Sequence, residues 1–201
     1  MTRIWRRRLA DAVLIVLSAA ALLAMHRTTP GFDEKTAAFP VKGSLGETVN
    51  GRSFSLRLDR VDLATSLTAP VLLGPPKTYT TSGVWVIVHG AITSNVQPML
   101  LRYAGLRTRD GLIYTAVDDR FHSRWLLTQD ENYAGISRRG ILVFEVPPDR
   151  LAGAVLLAGE RSFRVRLDSR LEIALGLDES AVRARMASAQ AGYRLDGALP
   201  Q

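Results

Sequence analysis

Apolar residues along this chain follow two patterns in succession. From about Leu9 to Met25 they are nearly continuous, directly after Arg3 and the cluster Arg6-Arg7-Arg8. From Gly46 onward the period falls to two: Phe54, Leu56 and Leu58 alternate with Ser53, Ser55 and Arg57, which predicts a half-buried strand. Val84-Trp85-Val86-Ile87-Val88 breaks the alternation because every position is apolar, as expected of a central strand covered on both faces. Further strands are predicted from Leu100 to Arg107 and from Leu112 to Val117, with Asp110-Gly111 as the hairpin turn between them. Others are predicted at Ile141 to Val146, stopped by Pro147-Pro148, at Ala154 to Ala158, and where Phe163, Val165 and Leu167 alternate. Short strands with little helix between them predict an all-β fold, a β-sandwich. One short helix is expected near the C-terminus, from Glu179 to about Ala191, with Asp178 as its cap and Val182 and Met186 on one side. It either packs on the sandwich edge or forms a mobile tail, and Gly192 onward is expected to fray.

The N-terminal run of 17 residues (9–25) makes about 25 Å of helix at ~1.5 Å per residue, slightly under a hydrocarbon thickness of ~30 Å. Ile4 and Trp5 at the interface and snorkelling arginines make up the difference. The small residues Ala19-Ala20-Ala21 follow only a very short apolar core, so an uncleaved anchor is the preferred reading and a cleaved, secreted form the alternative. Basic residues before the run stay on the cytoplasmic side, which places the rest of the chain outside it. The expected organisation is a basic stub and transmembrane anchor over 1–25, a linker over 26–41 where Pro30, Gly31 and Pro40 fall, a β-sandwich over 42–176, and a C-terminal helix or tail over 177–201.

Composition narrows the function. There is no cysteine, which excludes disulfide frameworks, thiolate metal sites, cysteine nucleophiles and lipoprotein acylation together. The net charge of +7 invites a nucleic-acid reading, but residues 1–25 carry four arginines against one aspartate, and the remainder has 22 basic against 18 acidic residues. These are interleaved, as in Arg57-Leu58-Asp59-Arg60-Val61-Asp62, a pattern of solvated sheet faces, so no nucleic-acid partner is expected.

Four segments taken in order carry a resemblance. They are Gly46-Glu47-Thr48-Val49, Gly83-Val84-Trp85-Val86-Ile87-Val88, Leu106-Arg107-Thr108-Arg109-Asp110-Gly111 ahead of Tyr114, and Gly140-Ile141-Leu142-Val143-Phe144-Glu145-Val146-Pro147. Together they resemble the immunoglobulin-like domains of the secreted immunoprotective-antigen superfamily, found in anchored or exported proteins of actinobacteria and other Gram-positive bacteria. Where that family is asparagine-rich, this chain has Gly90-Ala91-Ile92-Thr93-Ser94-Asn95, a partial match. The resemblance, over roughly residues 42–160, implies an immunoglobulin-like sandwich outside the cytoplasm that works by binding or scaffolding.

Residues able to do chemistry are sparse. Asp118, Asp119 and His122 have the letters of a divalent-metal site, yet a polar loop after a strand supplies the same letters, and no His-Glu-x-x-His or calcium-loop pattern accompanies them. No Gly-x-Ser-x-Gly elbow or phosphate-binding glycine loop is present. His89, inside an apolar run, reads as a hydrogen-bonded interior or edge residue. The expectation is therefore a non-enzyme with no catalytic, metal or cofactor residues and no cofactor. Phe121, Trp125 and Tyr133 are the candidate partner contacts, against the plainer reading that Trp125 closes one end of the core. The expected role is an interaction or scaffold domain, held at the membrane by its N-terminal helix, for an envelope protein or transport complex. The alternative is a small-molecule or lipid-binding envelope protein, and a metal-dependent hydrolase is the weakest reading.

Overall fold

The computed structural model describes residues 2–28, 37–71, 74–117, 119–120, 123–160 and 168–195. It divides into two units, Met1–Ala37 and Ala38–Gln201. The first contains one helix, α1 (Thr2–Thr28), in which the 18 residues Asp11–Thr28 are long and apolar enough to cross a membrane and none is buried.

In the second unit the described residues form ten strands and one further α-helix. One sheet joins β1 (Phe39–Ser44), β9 (Ser169–Ala174), β8 (Val155–Gly159), β5 (Tyr103–Arg107) and β6 (Ile113–Thr115), in that spatial order. The other joins β10 (Tyr193–Arg194), β3 (Phe54–Ala69), β4 (Lys77–Ser94) and β7 (Ser137–Val146), with β2 (Thr48–Asn50) paired to β3. Neighbours pair antiparallel except β1 with β9 and β10 with β3.

The core between the sheets is made by Phe54, Leu56, Leu58, Val84, Val86, Val88, Leu142 and Phe144 from one side and Leu106, Leu156, Leu171 and Ile173 from the other, all essentially inaccessible. The alternate residues of β4 and β7, Trp85, Ile87, Ile141 and Val143, point the opposite way, into a second apolar cluster with Leu126, Tyr193 and Leu195. This second layer is why the 84–88 run has no polar position: both faces of β4 are covered, as the all-apolar pattern predicts.

Several boundaries differ from the sequence reading. The sandwich begins at Phe39, inside the segment read as linker over 26–41. β1 is an edge strand with mostly exposed side chains, so it has too few buried positions to show a period. The strand expected from Leu100 starts at Tyr103. β9, which pairs with both β1 and β8, lies in a stretch where no strand is predicted. The alternating Phe163, Val165 and Leu167 lie outside the described residues.

The C-terminal region is a working part of the sandwich. α2 (Glu179–Ala187) is capped by Asp178, whose carboxylate accepts from Ala181 N at 2.7 Å. Val182 is buried and Met186 packs against the intersheet core, so the helix docks on the sandwich. Residues 192–195, expected to fray with the rest of the C-terminus, instead lead into and follow β10: Leu195 N donates to Thr68 O at 2.8 Å, and Tyr193 and Leu195 are 5% and 1% exposed, while 196–201 lie outside the described residues. One tyrosine and one leucine are too few to announce a strand in a sequence, but both join the buried cluster that holds Trp85.

Candidate functional site

Segment 123–132 runs along the free edge of β7. Leu127 N donates to Ile141 O at 3.0 Å and Ile141 N donates to Trp125 O at 2.7 Å. The partly buried Arg138 fixes the segment from within, its guanidinium donating to Leu126 O, Leu127 O, Asp130 O and Asn132 Oδ1. Between this segment and the C-terminal strand lies an open groove of about 550 Å³. Pro70, Trp125 and Leu195 form its apolar lining, and Ser123, Arg124, Gln129 and Asp130 its polar lining. The Arg124 guanidinium sits 4.8 Å from the Trp125 ring centroid, a cation–π contact. Trp125 Nε1 is buried with no hydrogen-bond partner among the described residues.

Trp125 has two environments. It packs against the second apolar cluster, and it also lines a groove. Tyr133 is 54% exposed but lies elsewhere. Its neighbour Ala134 bridges Ser94, next to the Thr93–Ser137 pair, whereas Trp125 bonds at Ile141. Four residues of β7, roughly 13 Å at ~3.3 Å each, separate the two levels. Phe121 lies outside the described residues, as do Asp118 and His122 of the metal reading. Among the described residues no group of three His, Cys, Asp or Glu side chains is placed to hold a metal ion.

A polar cluster that the sequence did not announce lies under the C-terminal strand. His89, on β4 and 6% exposed, has Nε2 2.8 Å from Asp62 Oδ2 and 3.3 Å from Tyr193 Oη. Arg60 Nε donates to the same Asp62 oxygen at 3.2 Å. Burial raises the Asp62 pKa, but the hydrogen bond and charge of His89, with those of Arg60, outweigh it and hold the carboxyl below 3.8. Burial, then the Asp62 charge, pushes Tyr193 up to about 12. On the other sheet, burial likewise raises Glu172, yet hydrogen bonds from Arg107 and Arg170 hold it below 4.5.

These shifts fix a pH dependence. A carboxyl whose folded pKa lies below its unfolded value stabilises the fold above the unfolded value and loses that contribution as pH falls through the folded one. Urea midpoints are therefore expected to hold near neutrality and drop below about pH 4, with Asp62→Asn flattening part of the drop. An unchanged acid limb in Asp62→Asn would show that Asp62 contributes nothing there.

A second groove of about 450 Å³ lies where the turns at 108–111 and 148–150 meet the start of α2. It is lined by Arg109, Asp110, Asp149, Arg150, Ala152 and Glu179, with Arg150 paired to Asp110.

The site and fold define a two-sheet β-sandwich preceded by an apolar helix. No family model matches the chain, and no curated protein matches it. Among solved structures, similarity is found to an uncharacterized β-sandwich protein from Clostridium difficile 630, at 11% identity and TM-score 0.46 over 73% of this chain and 99% of that one. The yjhA protein from Bacillus subtilis is similar at 13% identity and TM-score 0.46, over 65% of this chain and 99% of its own. The secreted protein MPT63 from Mycobacterium tuberculosis is similar at 14% identity and TM-score 0.49, over 69% of this chain and 99% of its own. At such identities the similarity concerns architecture and assigns no activity.

Proposed function

We propose that this chain is a single-pass membrane protein whose immunoglobulin-like sandwich lies outside the cytoplasm and holds an envelope protein partner without catalysing a reaction. The observation that carries the reading is the basic head followed by an apolar helix in which none of Asp11–Thr28 is buried, ahead of a compact sandwich unit. Positive residues before such a helix stay cytoplasmic, so the sandwich is exported. Confinement to the membrane raises the effective concentration for a neighbouring membrane partner, and a modest interface then suffices. The Trp125 groove supplies an aromatic and an arginine side by side, the residue types that carry interface energy. Lipid carriage has less support, since both grooves described carry charged side chains and the intersheet space is filled by aliphatic and aromatic residues.

Protease treatment of intact cell-wall-free cells tests the topology. The expected result is a full-length species that resists carbonate extraction and whose sandwich is digested from outside. Release of a shorter soluble species, or protection of the sandwich until lysis, contradicts the anchor.

A further inference from the structure

We propose that the outer face of the β1-β9-β8-β5-β6 sheet holds a phosphate-class oxyanion at Arg107, Arg170 and Lys42. The site lies wholly within the sandwich and is independent of both the anchor and the Trp125 groove.

Side chains alternate along each strand, and Leu106, Leu156, Leu171 and Ile173 face the intersheet core. Arg107, Leu157, Arg170 and Glu172 therefore leave the sheet on its other face. Lys42 on β1 is the register partner of Glu172, so it shares that face and is exposed. Glu172 is 7% exposed and is held by two guanidiniums. Arg107 reaches it from β5 across β8, donating from Nη2 to Oε2 at 2.9 Å and from Nη1 to Oε1 at 3.4 Å. Arg170, two residues back along β9, donates to Oε1 from Nε at 3.1 Å and from Nη2 at 2.6 Å. Arg107 Nε and Arg170 Nη1 are left without a partner among the described residues. The two arginine side chains are 34% and 32% exposed, open enough to be reached from solvent.

Among the described strand residues of this face, Lys42, Arg107 and Arg170 are basic and Glu172 alone is acidic. The single carboxylate thus leaves the face with an excess of positive charge. Acids past the strand ends each have a partner or a neighbouring base of their own. Glu47 accepts from Ser44 N at 2.9 Å, Asp168 accepts from Ser169 N at 2.8 Å, and Asp110 is paired with Arg150. Glu160 follows Gly159, whose register partner Tyr103 follows the exposed Arg102.

Glu172 fixes the two guanidiniums before any ligand arrives, which lowers the ordering cost of binding. Guanidinium forks match phosphate oxygens, and a lysine adds a mobile point charge. Three cationic side chains carried on β1, β5 and β9 suit a tetrahedral oxyanion, which has an oxygen for each, better than a carboxylate, which has two.

The test is calorimetric titration of the full chain in non-ionic detergent, at fixed ionic strength in chloride. The two probes are inorganic phosphate and the soluble phosphodiester glycerophosphoglycerol. The expected result is saturable binding, weakened about tenfold in Arg170→Gln and several-fold in Lys42→Gln. Arg57→Gln, on the other sheet and paired with Asp59, is expected to bind as the parent does. Lys42 is exposed, so its variant keeps the fold and decides the question if Arg170→Gln does not fold. Binding of phosphate alone supports the site and assigns it to free phosphate or a monoester. Binding of the diester as well supports it and assigns it to a phosphodiester backbone. Binding of neither probe overturns the proposal, as does equal affinity in the parent and Lys42→Gln, or an equal loss in Arg57→Gln.

Discussion

Ending the chain after Ala191 lowers its stability by about 5 kcal/mol, the sum of removing two large buried side chains at roughly 1.5–3 kcal/mol each. Tyr193 and Leu195 close the second apolar cluster over Trp85, Ile87 and Val143. Without them Trp85 and Ile87, in the wholly apolar run 84–88, lose part of their cover. The truncation also removes the bond from Leu195 N to Thr68 O and the hydroxyl beside His89. Against a total stability of about 5–15 kcal/mol for a domain, the loss leaves a marginal fold. Two substitutions separate the contributions. Tyr193→Phe keeps the ring and is expected to cost about 1 kcal/mol, whereas Tyr193→Ala is expected to cost about 3–5 kcal/mol. Thermal unfolding of the full chain in mild detergent, followed by tryptophan fluorescence, reads all three. A truncated form as stable as the parent would show that the C-terminal strand is dispensable.

Gly140→Val is the second large effect, expected at about 3 kcal/mol. A Cβ at this position would collide with Trp125 O and lie 2.6 Å from Leu127 Cδ2. Backbone cannot yield as the end of a flexible side chain can, so segment 125–127 must lift from the edge of β7. That breaks the bonds between Ile141 and both Trp125 and Leu127, and it dismantles the groove. Gly111→Ala is the control. Gly111 has a φ of 87°, but nothing lies within 4 Å of the point a Cβ would occupy, so only the left-handed backbone penalty of about 1–2 kcal/mol applies. Equal costs at the two positions would contradict the close approach at Gly140.

These two effects mark how far the residues alone reveal the fold. Strands buried on one or both faces were legible: Phe54, Leu56 and Leu58 alternate, residues 84–88 are wholly apolar, and Pro147 ends β7 where expected. Asp110-Gly111 marked the β5–β6 hairpin, and Asp178 the helix cap. Edge elements were not legible. β1 and β10 bury few side chains, and their pairing is made by backbone bonds that leave no trace in residue type. The Asp62–His89–Tyr193 cluster was hidden for a different reason. Its members come from β3, β4 and β10, and Tyr193 is 104 residues from His89, so only the sheet order brings them together. Trp125 stood out as an aromatic in a loop, but the groove beside it depends on Leu195, whose location follows from β10.

The central claim is that an exported sandwich holds an envelope partner, and crosslinking in intact cells of the native host tests it most directly. The tagged full chain is compared with a form in which residues 1–25 are replaced by a cleavable foreign signal, and with Trp125→Ala in the full chain. The account predicts one discrete envelope complex captured by the anchored form, lost without the anchor and weakened in Trp125→Ala. Recovery of no protein by the anchored form, or of the same protein at equal yield by all three, would contradict it.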